Sequence, residues 1–311
     1  MVKILMLLVL IFSINIYAQK HMPNLSEPIT FISDEKDNLR GTGFFVSCFS
    51  EDSSCYEFYL VTAKHVVMKN CNKFRDSIHI LMNLKTGGRT TLCIPLFSKG
   101  PMQNIFVNTD KDVDIAVIPY LPDREKIVFG VYSDSSIYSL EANKKYQFSE
   151  GDEVVFCGMF EHYIGRDKNK PIYRFGRVAL IPEEKVTFQD ECGNPSTDII
   201  LIETFTFGGN SGSPLFFYIG PFRSDTFDIK KLEWRYRIAG IIKGYYPHYS
   251  KLAKLKTKKT GINQYYSPEN MGIALVTPSY KLIEILKSDE LKLHRKMTGY
   301  YLKIIDKLKK Q

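Results

Sequence analysis

The chain predicts an all-β protein, barrel or sandwich, in two halves followed by a helical end. Three observations carry this. Short runs rich in Val, Ile, Phe, Tyr and Thr recur through the sequence, among them "GTGFFVSC", "YEFYLVTA", "DIAVIPYL", "DIILIETF" and "YRIAGIIKGYY", with Gly, Asp, Asn and Pro between them. Such a series marks many strands separated by tight turns. A more polar, turn-rich stretch from Tyr120 to Asp152 interrupts the series and reads as the link between halves. Apolar spacings of three and four are missing until Ser279.

At 311 residues, with 44% hydrophobic and 13% aromatic side chains, the chain is long enough for one large or two ordinary domains with buried cores, and its composition excludes disorder as the default. No internal repeat or low-complexity tract stands out.

Taken in order, the first element is a leader. Lys3 precedes an apolar run from Ile4 to Ile14, and Ala18 stands before Gln19. This pattern fits a secretory signal over residues 1–18, cleaved after Ala18. The run is shorter than the ~20 apolar residues of a spanning helix; an uncleaved anchor and a buried first helix are the competing readings. Export places the protein outside the cell or in a bacterial cell envelope. The first β half is then expected over 19–125, the second over 126–278, and a helical tail over 279–311.

An oxidising compartment lets the six cysteines pair. Cys48 and Cys55 flank the polar loop "FSEDSS" between two strand-like runs, so a bridge across that hairpin is expected, with Cys71 to Cys93 as a second pairing. Free buried thiols are the alternative. No spacing suggests a metal site, and no cofactor is expected.

In the tail, Leu282, Ile285, Leu286, Leu293, Met297, Tyr301, Ile304 and Leu308 follow helical spacings, with Gly299 as a point of kinking or division. The formal charge of +8 is concentrated here: from Lys287 to Gln311 there are eight Lys or Arg against three acids. The tail reads as a helix laid on a barrel with its lysines in water, or as a basic surface for anionic lipid or cell wall. The rest of the chain is nearly balanced, which excludes a general nucleic-acid-binding face.

The chemistry is concentrated in "TFGGNSGSPLF", Thr206 to Phe216. A nucleophilic serine needs its Oγ exposed on a tight turn with backbone N–H groups aimed at one point. Glycines allow such a turn and the close approach of a substrate. A phosphate loop would end in Gly-Lys-Ser/Thr, and no lysine is present. A hydrolase elbow would need glycine where Ser213 stands. An ordinary Gly/Ser loop is the bland reading. Two further residues weigh against it: His65 follows the apolar run in "LVTAKHVV", and Asp114 opens another in "KDVDIAVIPYL". Each alone is more often structural. In the order His, Asp, Ser, with the first two in one half and the third in the other, they suit a site in the cleft between two barrels.

The chain resembles a trypsin-like, chymotrypsin-fold serine protease, closest in style to the bacterial glutamyl endopeptidases and the Deg-type envelope proteases. "GTGFFV" resembles the family's strand leading to the histidine, "LVTAKHV" its histidine motif, "DIAV" its aspartate motif and "GGNSGSPLF" its serine motif, over residues 28–286 in all. The resemblance implies two antiparallel β barrels with the site between them. It makes Ser211 the nucleophile, His65 the general base and acid, and Asp114 the residue that orients His65, with Asp112 as its rival. The amides of Gly209 and Ser211 become the oxyanion hole.

Departures from the pattern matter as well. Asn210 stands where zymogen-activated relatives carry aspartate, so activation by an N-terminal ion pair is not expected. Thr206 matches a pocket threonine of the glutamyl endopeptidases. Ile242 stands where that branch carries a pocket histidine, followed by Lys243, whose amine either faces an acidic substrate side chain or, more commonly for a strand lysine, faces water. Too few residues follow the last strand for the PDZ module of Deg-type proteases. The sequence thus points to a monomeric, cofactor-free serine endopeptidase acting on protein or peptide substrates. The alternative is a catalytically silent barrel used for binding or adhesion.

Overall fold

The computed structural model describes residues 24–50, 55–97, 104–219, 236–251 and 266–308, and places side chains for 24–49, 56–97, 104–219, 236–246 and 270–298. The expected leader, 1–18, lies outside the described residues.

The first half contributes ten strands: β1 (Ile29–Ser33), β2 (Leu39–Ser50), β3 (Cys55–Thr62), β4 (Met68–Asn70), β5 (Lys73–Phe74), β6 (Ser77–Asn83), β7 (Arg89–Pro95), β8 (Phe106–Val107), β9 (Ala116–Pro119) and β10 (Tyr132–Ser133). Eight of them form one sheet in the order β7-β6-β1-β2-β3-β9-β8, with β10 beside β2, while β4 and β5 pair separately. Helix α1 (Leu140–Tyr146) follows, started by the Ser139 side chain, which accepts from the Ala142 amide.

The second half contributes β11 (Glu153–Gly158), β12 (Ile172–Leu180), β13 (Val186–Thr187), β14 (Ser196–Thr197), β15 (Ile200–Glu203), β16 (Pro214–Tyr218), β17 (Tyr236–Lys251) and β18 (Tyr266–Pro278). Six close into a barrel, β11-β12-β15-β18-β17-β16, and the β13–β14 hairpin stands outside it. The chain therefore has the all-β architecture in two halves expected from its sequence, with one difference. Only the second half closes by hydrogen bonding; the first is an open sheet whose end strands, β7 and β8, do not pair.

The alternation of side chains explains why the strand sequences are apolar on both faces. In β2, Phe44, Val46 and Cys48 enter one core cluster, while Phe45 between them enters another with Ile32 and Leu60. In β11, Val155 and Cys157 face the first cluster and Val154 and Phe156 the barrel interior. The shared cluster also takes Phe216, Ile238 and Ile241 of the barrel, so the two halves are joined by a continuous apolar layer. Each fully buried Phe or Ile contributes about 1.5–3 kcal/mol.

Helices α2 (Ser279–Leu286) and α3 (Asp289–Leu308) complete the chain. Leu282, Ile285, Leu286 and Leu291 are buried against the shared cluster. The helical break falls at Lys287–Ser288, and α3 runs through Gly299 undivided. The break resets the phase of the apolar stripe: Leu291 turns inward and Leu293, expected to be covered, is 58% exposed. Arg295 anchors α3, its Nε donating to Tyr59 Oη at 2.7 Å and a terminal nitrogen to the Leu286 carbonyl at 2.7 Å.

The cysteines correct the expected pairings. Cys71, in the turn between β4 and β5, is bonded to Cys192 in the β13–β14 hairpin. Cys48 and Cys93 are free. The register places Glu57 opposite Cys48 and Ser50 opposite Cys55, so the two cysteines are offset diagonally along the ladder. Burial pushes the Cys48 thiol up to about 12, which makes it an inert core group. A disulfide fits a secreted or envelope protein, and among the described residues no helix is long and apolar enough to cross a membrane.

Candidate active site

The site lies where the open sheet meets the closed barrel. Strand β3 ends at Thr62, and Ala63 leads in extended conformation into a short 3-10 turn, Lys64–Val67. Val66 and Val67 are buried beneath this turn, which leaves His65 at its surface with 45% of its side chain exposed. Asp114 precedes β9 and is 3% exposed. Its Oδ1 accepts from the His65 amide at 2.9 Å, and its Oδ2 lies 2.7 Å from His65 Nδ1. The ring and backbone of one residue are thus held by one carboxylate. Burial of Asp114 opposes its ionisation, but the adjacent His65, the Lys243 ammonium and the two hydrogen bonds outweigh it and hold the carboxyl well below the usual range. Asp112 is occupied elsewhere: its Oδ2 accepts from the Ser196 amide at 3.0 Å.

Ser211 comes from the other half, on the turn before β16. Gly209 and Gly212 adopt φ of +89° and +88°, the left-handed region that glycine occupies without strain. The turn is closed by Ser213 N–H to the Asn210 carbonyl and by Gly212 N–H to the Ile242 carbonyl. Among the described residues the amides of Gly209 and Ser211 donate to no protein acceptor. The Ser211 hydroxyl donates to the Lys243 carbonyl at 2.8 Å, and no hydrogen bond joins it to His65. Asn210, 1% exposed, is satisfied locally, donating to the Met159 carbonyl and accepting from the Phe207 amide at 2.9 Å.

The remaining sequence-predicted residues separate. Thr206 is fully buried; its carbonyl accepts from Asn270 Nδ2 at 2.6 Å, and its hydroxyl has no partner among the described residues. Ile242 is fully buried within the closed barrel's core, so its side chain is not presented to a substrate. Lys243 does not face water as a strand lysine commonly does. Its side chain is 12% exposed, and its Nζ lies 3.5 Å from Asp114 Oδ2 and 3.3 Å from Asp190 Oδ2.

Thr42 was missed from the sequence, although the glycines on either side of it in "GTG" are the signal of a crowded strand. Its Oγ1 donates to the Gly209 carbonyl at 2.7 Å and accepts from the Met159 amide at 2.8 Å, and its amide donates to the Ser211 carbonyl at 2.8 Å. One buried threonine of the first half therefore fastens the serine turn of the second. A Cβ at Gly41 would stand 2.7 Å from the Ser211 carbonyl oxygen, which accounts for that glycine. Among the described residues no group of three or more His, Cys, Asp or Glu side chains is placed to hold a metal ion.

No protein-family model matches the chain, and no curated protein matches its sequence. Solved structures similar in outline include the following two. An inactive serine-to-alanine mutant of Rv3671c from M. tuberculosis H37Rv is 15% identical with a TM-score of 0.41, over 85% of this chain and 93% of that one. A structure of HBP is 10% identical with a TM-score of 0.42, over 85% of this chain and 91% of that one. Likeness at this level carries no activity across, and the chemistry rests on the site itself.

Proposed function

We propose that the chain is a secreted or envelope serine endopeptidase of the trypsin-like family, in the style of the bacterial glutamyl endopeptidases and Deg-type proteases. The observation that carries this reading is the placement of His65, doubly held by Asp114, on the first half and of Ser211, on its glycine turn, on the second. Ser211 attacks the scissile carbonyl as His65 takes its proton, and His65 then returns the proton to the leaving amine. Asp114 keeps the Nδ1 proton in place and stabilises the imidazolium. The amides of Gly209 and Ser211 receive the developing oxyanion.

A second reading is a silent barrel that binds without cleaving, and the hydroxyl's hydrogen bond to Lys243 favours it. Intact-mass labelling with a fluorophosphonate separates the two. The peptidase reading expects one adduct on the wild type and none on Ser211→Ala or His65→Ala. A folded wild type that takes no adduct supports the second.

A further inference from the structure

We infer that Lys243 is a positioning residue for Asp114, its ammonium bridging that carboxylate to Asp190 on a hairpin pinned across the two halves; this rests on the triad reading above. The backbone supplies the first observation. Ile242 pairs with Val276 and Gly244 with Leu275, so Lys243 is the extra residue of a β-bulge in β17. Bulges re-aim the side chain they carry and occur beside active sites. Here the bulge turns a lysine of a barrel strand inward.

The second observation is where the amine goes. It meets Asp114 Oδ2, the oxygen that also accepts from His65, and on its far side meets Asp190 Oδ2. The Phe188 ring lies 5.1 Å from it and shields it from water. A nearly buried ammonium stays in place only when its charge is matched, and both matching carboxylates are in position. While His65 is neutral, Lys243 is the cation in direct contact with Asp114. The same residue accepts the Ser211 hydroxyl through its carbonyl, so it touches two members of the triad.

The third observation is what fixes Asp190. Its Oδ1 accepts from the Cys192 amide at 2.8 Å, and its own amide donates to the Gly193 carbonyl at 2.9 Å. Cys192 is covalently tied to Cys71, six residues beyond His65. Further along the hairpin, Lys185 pairs with Asp110 at 2.9 Å and the Ser196 amide with Asp112. The hairpin is thus anchored on the first half at three points while it holds Lys243 of the second.

The test compares wild type, Lys243→Met, Lys243→Arg and Asp190→Asn by the rate of fluorophosphonate labelling at saturating and limiting probe, and by the downfield proton resonance of the His65–Asp114 hydrogen bond. Lys243→Met is expected to slow the maximal labelling rate roughly 10- to 100-fold, by analogy with the loss when the outer partner of a metal ligand is removed. Its half-saturating probe concentration is expected to stay unchanged and its His65 resonance to move. Lys243→Arg is expected to recover most of the rate, and Asp190→Asn to lose part of it. If Lys243→Met labels as fast as wild type with the resonance unmoved, the inference is wrong. Should Lys243→Met fail to fold, wild-type behaviour of Asp190→Asn in both readouts overturns the inference instead. An unlabelled wild type overturns the peptidase reading alone, and the resonance in the variants then decides the role of Lys243.

Discussion

Cys71 and Cys192 are 121 positions apart in sequence and covalently joined in space, with Cα atoms 5.3 Å apart. The bond links the turn beyond His65 to the hairpin that carries Asp190, one from each half of the molecule. Closing so long a loop restricts the unfolded chain strongly, and disulfides of this kind typically contribute about 2–4 kcal/mol. Cys192→Ser should lower the urea midpoint accordingly, whereas Cys93→Ser, at a free exposed thiol, should not. An unchanged midpoint in Cys192→Ser would show that the link contributes no stability.

Asp114→Asn and Asp112→Asn should behave differently despite being two residues apart. Loss of the Asp114 carboxylate removes the acceptor that sets the imidazole tautomer, and a fall of about 10,000-fold in fluorophosphonate labelling is expected. Asp112 serves the Ser196 amide, so Asp112→Asn should label within a few-fold of wild type, on the order of the loss of one surface-side hydrogen bond. Equal losses in the two variants would refute the assignment of Asp114.

Two glycines with similar φ offer a controlled comparison. Gly212, at φ +88°, would place a Cβ 2.1 Å from the Thr42 carbonyl oxygen and 2.4 Å from Thr62 Oγ1; Gly87, at φ +96°, would place one in open space. Gly87→Ala should cost only the left-handed backbone penalty, about 1–2 kcal/mol. Gly212→Ala adds a clash with the strand that fastens the serine turn and should cost more than ~3 kcal/mol or prevent folding. Thermal midpoints of the two variants provide the check.

Stability on the acid side should depend on Asp34. Burial opposes its charge, but hydrogen bonds from Arg40, Asn38 and the amides of Lys36 and Asn38 hold its carboxyl well below the usual range. The folded-state pKa is below the unfolded value of about 3.9. Its contribution is therefore complete above that pH and is lost as pH falls through the folded-state value. Asp34→Asn should be less stable than wild type at pH 7, and the difference should shrink on acidification. A difference that stays constant between neutral pH and pH 2 would count against this account.

The sequence by itself determined what neighbouring residues decide. Alternating and continuous apolar runs specified the strands, and the glycines of "GGNSGSP" specified a tight turn. The placement of His65 directly after an apolar strand and of Ser211 on a tight turn followed from those local patterns. Tertiary structure decided what depends on distant surfaces meeting. Cys71 found Cys192 because the β13–β14 hairpin reaches across to the first half. A bulge in β17 sent Lys243 inward to Asp114, and a two-residue break at Lys287–Ser288 exchanged Leu291 for Leu293 in the core. Local propensity acts over a few residues and can be read along the chain, whereas side-chain direction at a bulge and the partner of a thiol are fixed by packing between segments more than a hundred residues apart.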